Sequence, residues 1–241
     1  MYVRLWQVFD YRLGYCGPLD PSPHLPPNWL SLAPGGQADC RVELRGLEIF
    51  DDGQLWTTAR DPEQAMQRVL QLLQMRLTWG AVHYTFLHAG VVRMGEGAWL
   101  IPAEAGAGKS RLVEWLVSRG GLFYSDELAV IDDWGLVHPY PRALWLRVSK
   151  RERCSRPAQE LGWTPALGPV PVARVLLCRY RKGAAWSPRV VELEQARAQL
   201  WAQLRCAPEH REQAWQRLAK ALAGVPLLEG VRGEAEERML T

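Results

Sequence analysis

Between residues 103 and 110 the chain reads Ala-Glu-Ala-Gly-Ala-Gly-Lys-Ser. This follows the pattern GxxxxGK[ST], with Ala103 in place of the first glycine. Each position has a chemical reason. Gly106 and Gly108 open backbone conformations that turn successive N–H groups inward onto phosphate oxygens. Lys109 brings a point charge for the β- and γ-phosphates, and Ser110 offers a hydroxyl to Mg²⁺ at the start of a helix. The positive end of that helix adds its dipole. Ala103, Glu104, Ala105, Gly106, Ala107, Gly108, Lys109, Ser110 and Arg111 are therefore the candidate residues for binding ATP with Mg²⁺. A glycine- and alanine-rich turn with a chance GKS is the competing reading. The flanks oppose it, because the apolar run Trp99-Leu100-Ile101-Pro102 precedes the loop and an amphipathic helix follows it.

Two carboxylates, Asp126 and Glu127, follow the apolar Gly121-Leu122-Phe123-Tyr124 where a strand meets a loop. Side chains of this type at such a place can serve a metal ion and accept a proton, with a solvated loop as the equal competing reading. Asp132-Asp133 lies before Trp134-Gly135 and reads as a turn. His88, in Phe86-Leu87-His88-Ala89-Gly90, reads from its surroundings as a core histidine. Arg142, Arg147, Arg179, Arg181 and Lys182 are cations able to close over phosphates, though each alone reads as an ordinary solvated charge.

The elements that must hold these residues follow from local pattern. Residues 1–60 are strand-rich, with prolines at 18, 21, 23, 26 and 27 marking loop, and Cys40–Leu44 alternating as a strand does. Asp61 is placed to cap a helix with Pro62 in its first position. Met66, Val69, Leu70, Leu73 and Leu77 then give that helix one buried face. Two strands around a turn at Met94–Gly97 lead into the glycine-rich loop, and the next helix ends at Gly120 or Gly121. Residues 172–180 are a further apolar strand, and 192–224 are helical. The expected organisation is a strand-rich segment over 1–60, a core over 61–190, and a helical tail over 191–241.

Composition bounds the rest. The 241 residues carry a net charge of +3, 48% hydrophobic and 23% charged residues, which is ordinary for a globular chain. So small a charge argues against duplex nucleic acid as a partner. The five cysteines are scattered, with no CxxC pair, so neither a disulfide framework nor a zinc site is expected. No apolar run reaches membrane-spanning length and the N-terminus is too polar for a signal peptide, so the expected compartment is the cytoplasm. Homo-oligomerisation is left open.

The set as a whole resembles the HPr kinase family: His88-Ala89-Gly90-Val91-Val92, an apolar strand, the loop 103–110, a helix ending in Arg119-Gly120-Gly121, then Phe123–Asp132. It is most similar to the HPr-kinase-like kinases of lasso precursor peptides. The resemblance spans about residues 84–150, with a fainter echo to about 185. It implies an α/β fold, the mixed-sheet P-loop core shared by HPr kinase and phosphoenolpyruvate carboxykinase, with transfer of the γ-phosphoryl group of ATP to a serine of a peptide or small protein. On matching positions it implies Asp126, His88 and Lys109 as catalytic residues, and Ser110 and Glu127 as metal ligands. HPr kinase itself has two aspartates where this chain has Asp126-Glu127, and a downstream segment tied to phosphorolysis without a counterpart here. Neither phosphorolysis nor HPr as substrate is therefore carried over. The alternatives are a nucleotide-binding regulatory or adaptor protein without phosphotransfer, and a small-molecule kinase on the same core.

Overall fold

In the computed structural model, which describes residues 1–103, 107–142, 144–147, 153–156, 158–164, 167–234 and 239, the chain divides after His83 into two units, Met1–His83 and Tyr84–Thr241. The fold is mixed α/β.

The first unit is a six-stranded sheet covered by one helix. Its strands are β1 (Tyr2–Val8), β2 (Tyr11–Gly17), β3 (Leu30–Ser31), β4 (Cys40–Arg45), β5 (Glu48–Asp51) and β6 (Gln54–Thr58), in the order β3-β1-β2-β4-β5-β6. The proline-rich stretch joins β2 to β4 as a parallel pair. The turn between β5 and β6 places Asp52 (φ 48) and Gly53 (φ 83) in the left-handed region, which an Asp-Gly pair tolerates. Helix α1 (Pro62–Gly80) starts as its sequence predicts, with the Asp61 carboxylate accepting from the Gln64 N–H at 2.7 Å. It buries Ala65, Val69, Leu70, Leu72, Leu73 and Leu77 and packs on β2, β4 and β5. Met66, expected on that face, is only half-buried. Arg76 pairs with Asp51 at 2.9 Å and with Asp52. This packing assigns α1 to the first unit, whereas the sequence placed it at the start of the 61–190 core.

The second unit contains β7 (Thr85–Met94), β8 (Gly97–Pro102), α2 (Lys109–Ser118), β9 (Leu122–Ser125), β10 (Leu128–Ile131), β11 (Leu136–His138), β12 (Leu144–Arg147), β13 (Arg153–Arg156), β14 (Val170–Tyr180), β15 (Arg189–Val191), α3 (Leu193–Gln203), β16 (Leu204–Arg205), α4 (Arg211–Ala221) and β17 (Leu227–Arg232). The sheet runs β11-β10-β7-β8-β14-β17-β15, with β9 and β16 also on β7 and a further pairing of β11 with β14. β8, β14 and β17 are parallel neighbours, while the partners of β7 are all antiparallel.

Strand alternation sorts the core into two faces. Leu87, Ala89 and Val91 of β7, Ala98 and Leu100 of β8, and Val175 and Leu177 of β14 pack with Ala196 and Leu200 of α3 and Ala214, Trp215 and Leu218 of α4. Their neighbours Val92, Trp99, Ile101, Leu176 and Cys178 pack with Leu112, Val113 and Leu116 of α2. Those three α2 side chains are fully buried, each stabilising by roughly 1.5–3 kcal/mol. They fix the helix on the sheet and thereby fix where its N-terminus lies.

The expectation of a helical tail over 191–241 is corrected over its last part. α3 and α4 form, but β17 follows them and enters the sheet between β14 and β15. α4 ends at Ala221, a turn with Gly224 at φ 75 follows, and the Leu227-Leu228 pair has an apolar slot beside Val175 and Leu176 to fill. No helix among the described residues is long and apolar enough to cross a membrane.

Gly90 sets the distance between β7 and α2. A Cβ built there would stand 2.5 Å from Val113 Cγ2 and 3.1 Å from Lys109 Cγ. Gly90→Ala is expected to lower unfolding stability by about 1–3 kcal/mol through overpacking, measured by urea denaturation; a midpoint equal to that of the parent would contradict this account of the helix–strand contact.

Candidate functional site

The glycine-rich loop leaves the C-terminal end of β8 and enters α2. Ala103, at the end of the strand, is buried, and Ala107 is half-buried. Glu104, Ala105 and Gly106, the centre of the expected phosphate cradle, lie outside the described residues. Gly108 caps α2 with φ 78, the left-handed conformation that glycine adopts without strain. Its carbonyl accepts the Leu112 N–H at 3.2 Å, the first bond of the helix. The helix N-terminus therefore opens at Gly108, with Lys109 and Ser110 on its first turn. Arg111 points away from this cluster: it is exposed and pairs with Glu114 along the helix at 3.8 Å.

Asp126 and Glu127 form the tight connection between β9 and β10. The buried Ser125 makes that turn, because its Oγ accepts the N–H groups of Glu127 at 3.1 Å and Leu128 at 3.0 Å. The turn is docked on β7 through the Ala89 N–H, which donates to Glu127 O at 3.2 Å.

The loop and the turn meet at Asp126. Ser110 Oγ donates to Asp126 Oδ2 at 2.6 Å. Lys109 Nζ donates to the Asp126 backbone carbonyl and stands 3.7 Å from Oδ1. Oδ1 is buried and, among the described residues, accepts no hydrogen bond. At that separation the attraction of Lys109 is on the order of 4 kcal/mol with an effective dielectric near 20, and desolvating a carboxylate costs several kcal/mol. Burial prevails: it pushes the Asp126 carboxyl above the usual carboxylate range, against the Lys109 charge and the Ser110 hydrogen bond.

His88 lies on the α2-facing side of β7, two residues from Gly90 and opposite Leu128 in the register. Its Nδ1 is 3.2 Å from Gln203 Oε1, so the tautomer with a proton on Nδ1 donates to that amide. Burial first, then the Lys109 charge, lowers the pKa of His88, which keeps the ring neutral near pH 7; Glu127 opposes the shift. Arg205, on β16, is also lowered, by burial first, with Glu127 opposing. Glu127 thus lies within electrostatic reach of both His88 and Arg205. Of the residues expected from sequence, Gly108, Lys109, Ser110, Asp126, Glu127 and His88 come together, and Arg111 does not. Arg179, Arg181 and Lys182 are exposed.

Sequence reasoning missed three members. Gln203 ends α3 and Arg205 lies on β16, in what read as a helical tail. Arg232, at the end of β17, donates from Nη2 to Gly108 O at 2.7 Å and is 2% exposed. The apolar pair Leu227-Leu228 after Pro226 was the one available signal for that strand.

No protein-family model matches the chain, and no curated protein matches it. Among solved structures it is similar to an HPr(Ser) kinase/phosphatase from Coxiella burnetii, at 14% identity and a TM-score of 0.34, over 64% of this chain and 82% of that one.

The raised pKa of Asp126 has a consequence for stability. A carboxyl that titrates higher in the folded chain than in the unfolded one favours folding when protonated, and that contribution is lost as pH rises through the folded value. Asp126→Asn, an uncharged isostere, is expected to raise the melting temperature of the unliganded protein near pH 7.5. The gain should shrink toward zero as pH falls below the ordinary carboxylate range. A variant less stable than the parent at pH 7.5 would show that the Lys109 pairing outweighs burial.

Proposed function

We propose that the chain is an ATP- and Mg²⁺-dependent kinase that transfers the γ-phosphoryl group to a serine hydroxyl of a peptide or small protein, with a lasso-type precursor peptide as the candidate class of acceptor. The observation that carries this reading is the convergence on Asp126 of Lys109 and Ser110, from the first turn of α2 behind a glycine-rich loop. Phosphoryl transfer needs positioned charge more than covalent chemistry from the protein, and these groups supply it.

The donor set suits the ligands. The N–H groups at the start of a helix, which lack partners within the helix, and the Lys109 ammonium fit phosphate oxygens. Ser110 Oγ, with a carboxylate of the Asp126–Glu127 turn, fits Mg²⁺, which takes one or two protein oxygens and completes its shell with phosphate and water. When bound, the ion neutralises charge on the β- and γ-phosphates.

Asp126 is the proton acceptor in this reading. Oδ2 is held by Ser110, and Oδ1 keeps its lone pairs behind Lys109. Phosphates compete with Asp126 for Lys109, and drawing the ammonium toward them uncovers Oδ1. Oδ1 then takes the proton of the acceptor hydroxyl as its oxygen bonds to the γ-phosphorus. The bond from that phosphorus to the bridging oxygen breaks, and its electron pair leaves with ADP. A pKa above the ordinary carboxylate value makes ionised Asp126 a better base than a solvated aspartate. Neutral His88 and Glu127 border the same space and serve to orient the acceptor and the ion.

A second role for Asp126, as a Mg²⁺ ligand, is favoured by its contact with Ser110, and one experiment separates the two. With γ-labelled ATP and candidate serine peptides, Asp126→Asn is expected to lose phosphotransfer by about 10²–10⁴ while MgATP still raises its melting temperature. Loss of the MgATP shift together with activity would assign Asp126 to the metal. Lys109→Ala is expected to abolish most of the shift and yet remain folded. Full peptide phosphorylation by the Asp126→Asn, Glu127→Gln double variant would end the assignment of proton acceptor and metal ligand to this turn, and absence of transfer from the parent to any serine peptide would end the kinase reading.

A further inference from the structure

We infer that Arg232 is a phosphate-binding residue of this site: a guanidinium that contacts the phosphate chain of the bound nucleotide at the N-terminus of α2. This rests on the nucleotide reading above.

Three observations converge. The first is topological. Val175 is level with Leu100 on one side and Leu227 on the other. β8 ends two residues beyond Leu100, at Pro102, whereas β14 and β17 continue to the paired Tyr180 and Arg232. Arg232 therefore stands at the carboxyl ends of β14 and β17, past the end of β8 and against Gly108. In open α/β sheets that edge is where ligands bind.

The second is the charge itself. Arg232 is 2% exposed, and its hydrogen-bond acceptors among the described residues are two backbone carbonyls, Gly108 O at 2.7 Å and Gly233 O at 2.9 Å. Nε is buried and has no hydrogen-bond partner among the described residues. The ring of Tyr180 lies 5.6 Å from the guanidinium carbon, and its hydroxyl is turned to Glu234 at 2.8 Å. Two neutral carbonyls and one ring are poor compensation for a desolvated cation, whose penalty is several kcal/mol. An anion would supply the missing partner, and the fork of N–H groups on arginine matches phosphate oxygens.

The third is what the guanidinium touches. Gly108 O is the cap carbonyl of α2, and a Cβ at Gly108 would stand 2.7 Å from Arg232 Nη2. A cation thus sits against the last loop residue, next to Lys109 and the positive end of the helix dipole. That concentration of positive charge at a ten-residue helix suits a polyanion.

Calorimetric titration of MgATP into the parent, Arg232→Gln and Arg232→Lys at low and high salt tests the assignment. Arg232→Gln is expected to bind at least about tenfold more weakly at low salt, with a flatter salt dependence than the parent because one charged contact is gone. Arg232→Lys, which keeps the charge and loses the fork, should lose less and keep the salt dependence of the parent. Binding by Arg232→Gln within twofold of the parent would overturn the assignment. So would a loss of affinity equal at all salt concentrations, since that marks a residue that only holds the loop. Absence of MgATP binding by the parent would instead defeat the nucleotide reading, and this inference with it. Should Arg232→Gln not fold, the parent decides. Its Arg232 Nε–H resonance should move downfield and gain protection from exchange on saturation with MgATP; an unmoved signal overturns the proposal.

Discussion

A carboxylate that burial disfavours is held ionisable between a lysine and a serine of the next helix, and the arrangement around it depends on that tension. Asp126 meets Ser110 Oγ at 2.6 Å and Lys109 Nζ at 3.7 Å, yet its pKa still rises because desolvation outweighs both. A turn made only for stability would avoid this. A neutral residue at 126 would satisfy Ser110 equally well and carry no desolvation cost. In the proposed reading the charge serves function, at a place where Lys109 can exchange one anion for another. The ammonium stands 3.7 Å from Asp126 Oδ1, and a bound phosphate would give it a competing partner. Binding of the donor and exposure of the base would then be a single event.

The scaffold serves that exchange by holding two short segments in register. α2 is fixed on the sheet by Leu112, Val113 and Leu116, and the absence of a side chain at Gly90 lets Lys109 approach β7. The Asp126–Glu127 turn is fixed by the buried Ser125 and by the Ala89 N–H. Each anchor lies on β7 or its immediate partners, the strand on which His88 also stands. Small shifts of α2 therefore act directly on the distance between Lys109 and Asp126. The three parallel strands β8, β14 and β17 bring Arg232 to the other side of the same helix end.

What the sequence disclosed follows the range of the signal. Lys109, Ser110 and the glycines announce themselves because a phosphate loop is written in consecutive residues. The strand–turn–strand at Met94–Gly97 and the cap at Asp61 are equally local. Asp126 and Glu127 were visible as carboxylates at a strand end, but their contact with the loop depends on a register that no spacing records. Arg232 was not visible. It stands in Val231-Arg232-Gly233-Glu234, which reads as surface, and it is buried only because β17 pairs with β14 across more than forty intervening residues. Gln203 and Arg205 were hidden in the same way, on a segment whose helical pattern concealed the direct passage of α3 into β16 at Leu204. The boundary at His83 was missed because α1 carries an amphipathic pattern that does not say which sheet covers it.

The central claim is that Asp126 is a base held above its ordinary pKa by burial, with Lys109 beside it. The most direct measurement is a carboxyl-carbon NMR titration of Asp126 in the nucleotide-free protein, resolved by comparison with Asp126→Asn. The account predicts a midpoint clearly above the usual aspartate range. A midpoint at or below that range would mean that the Lys109 ion pair dominates, and that Asp126 is a structural anchor rather than a proton acceptor.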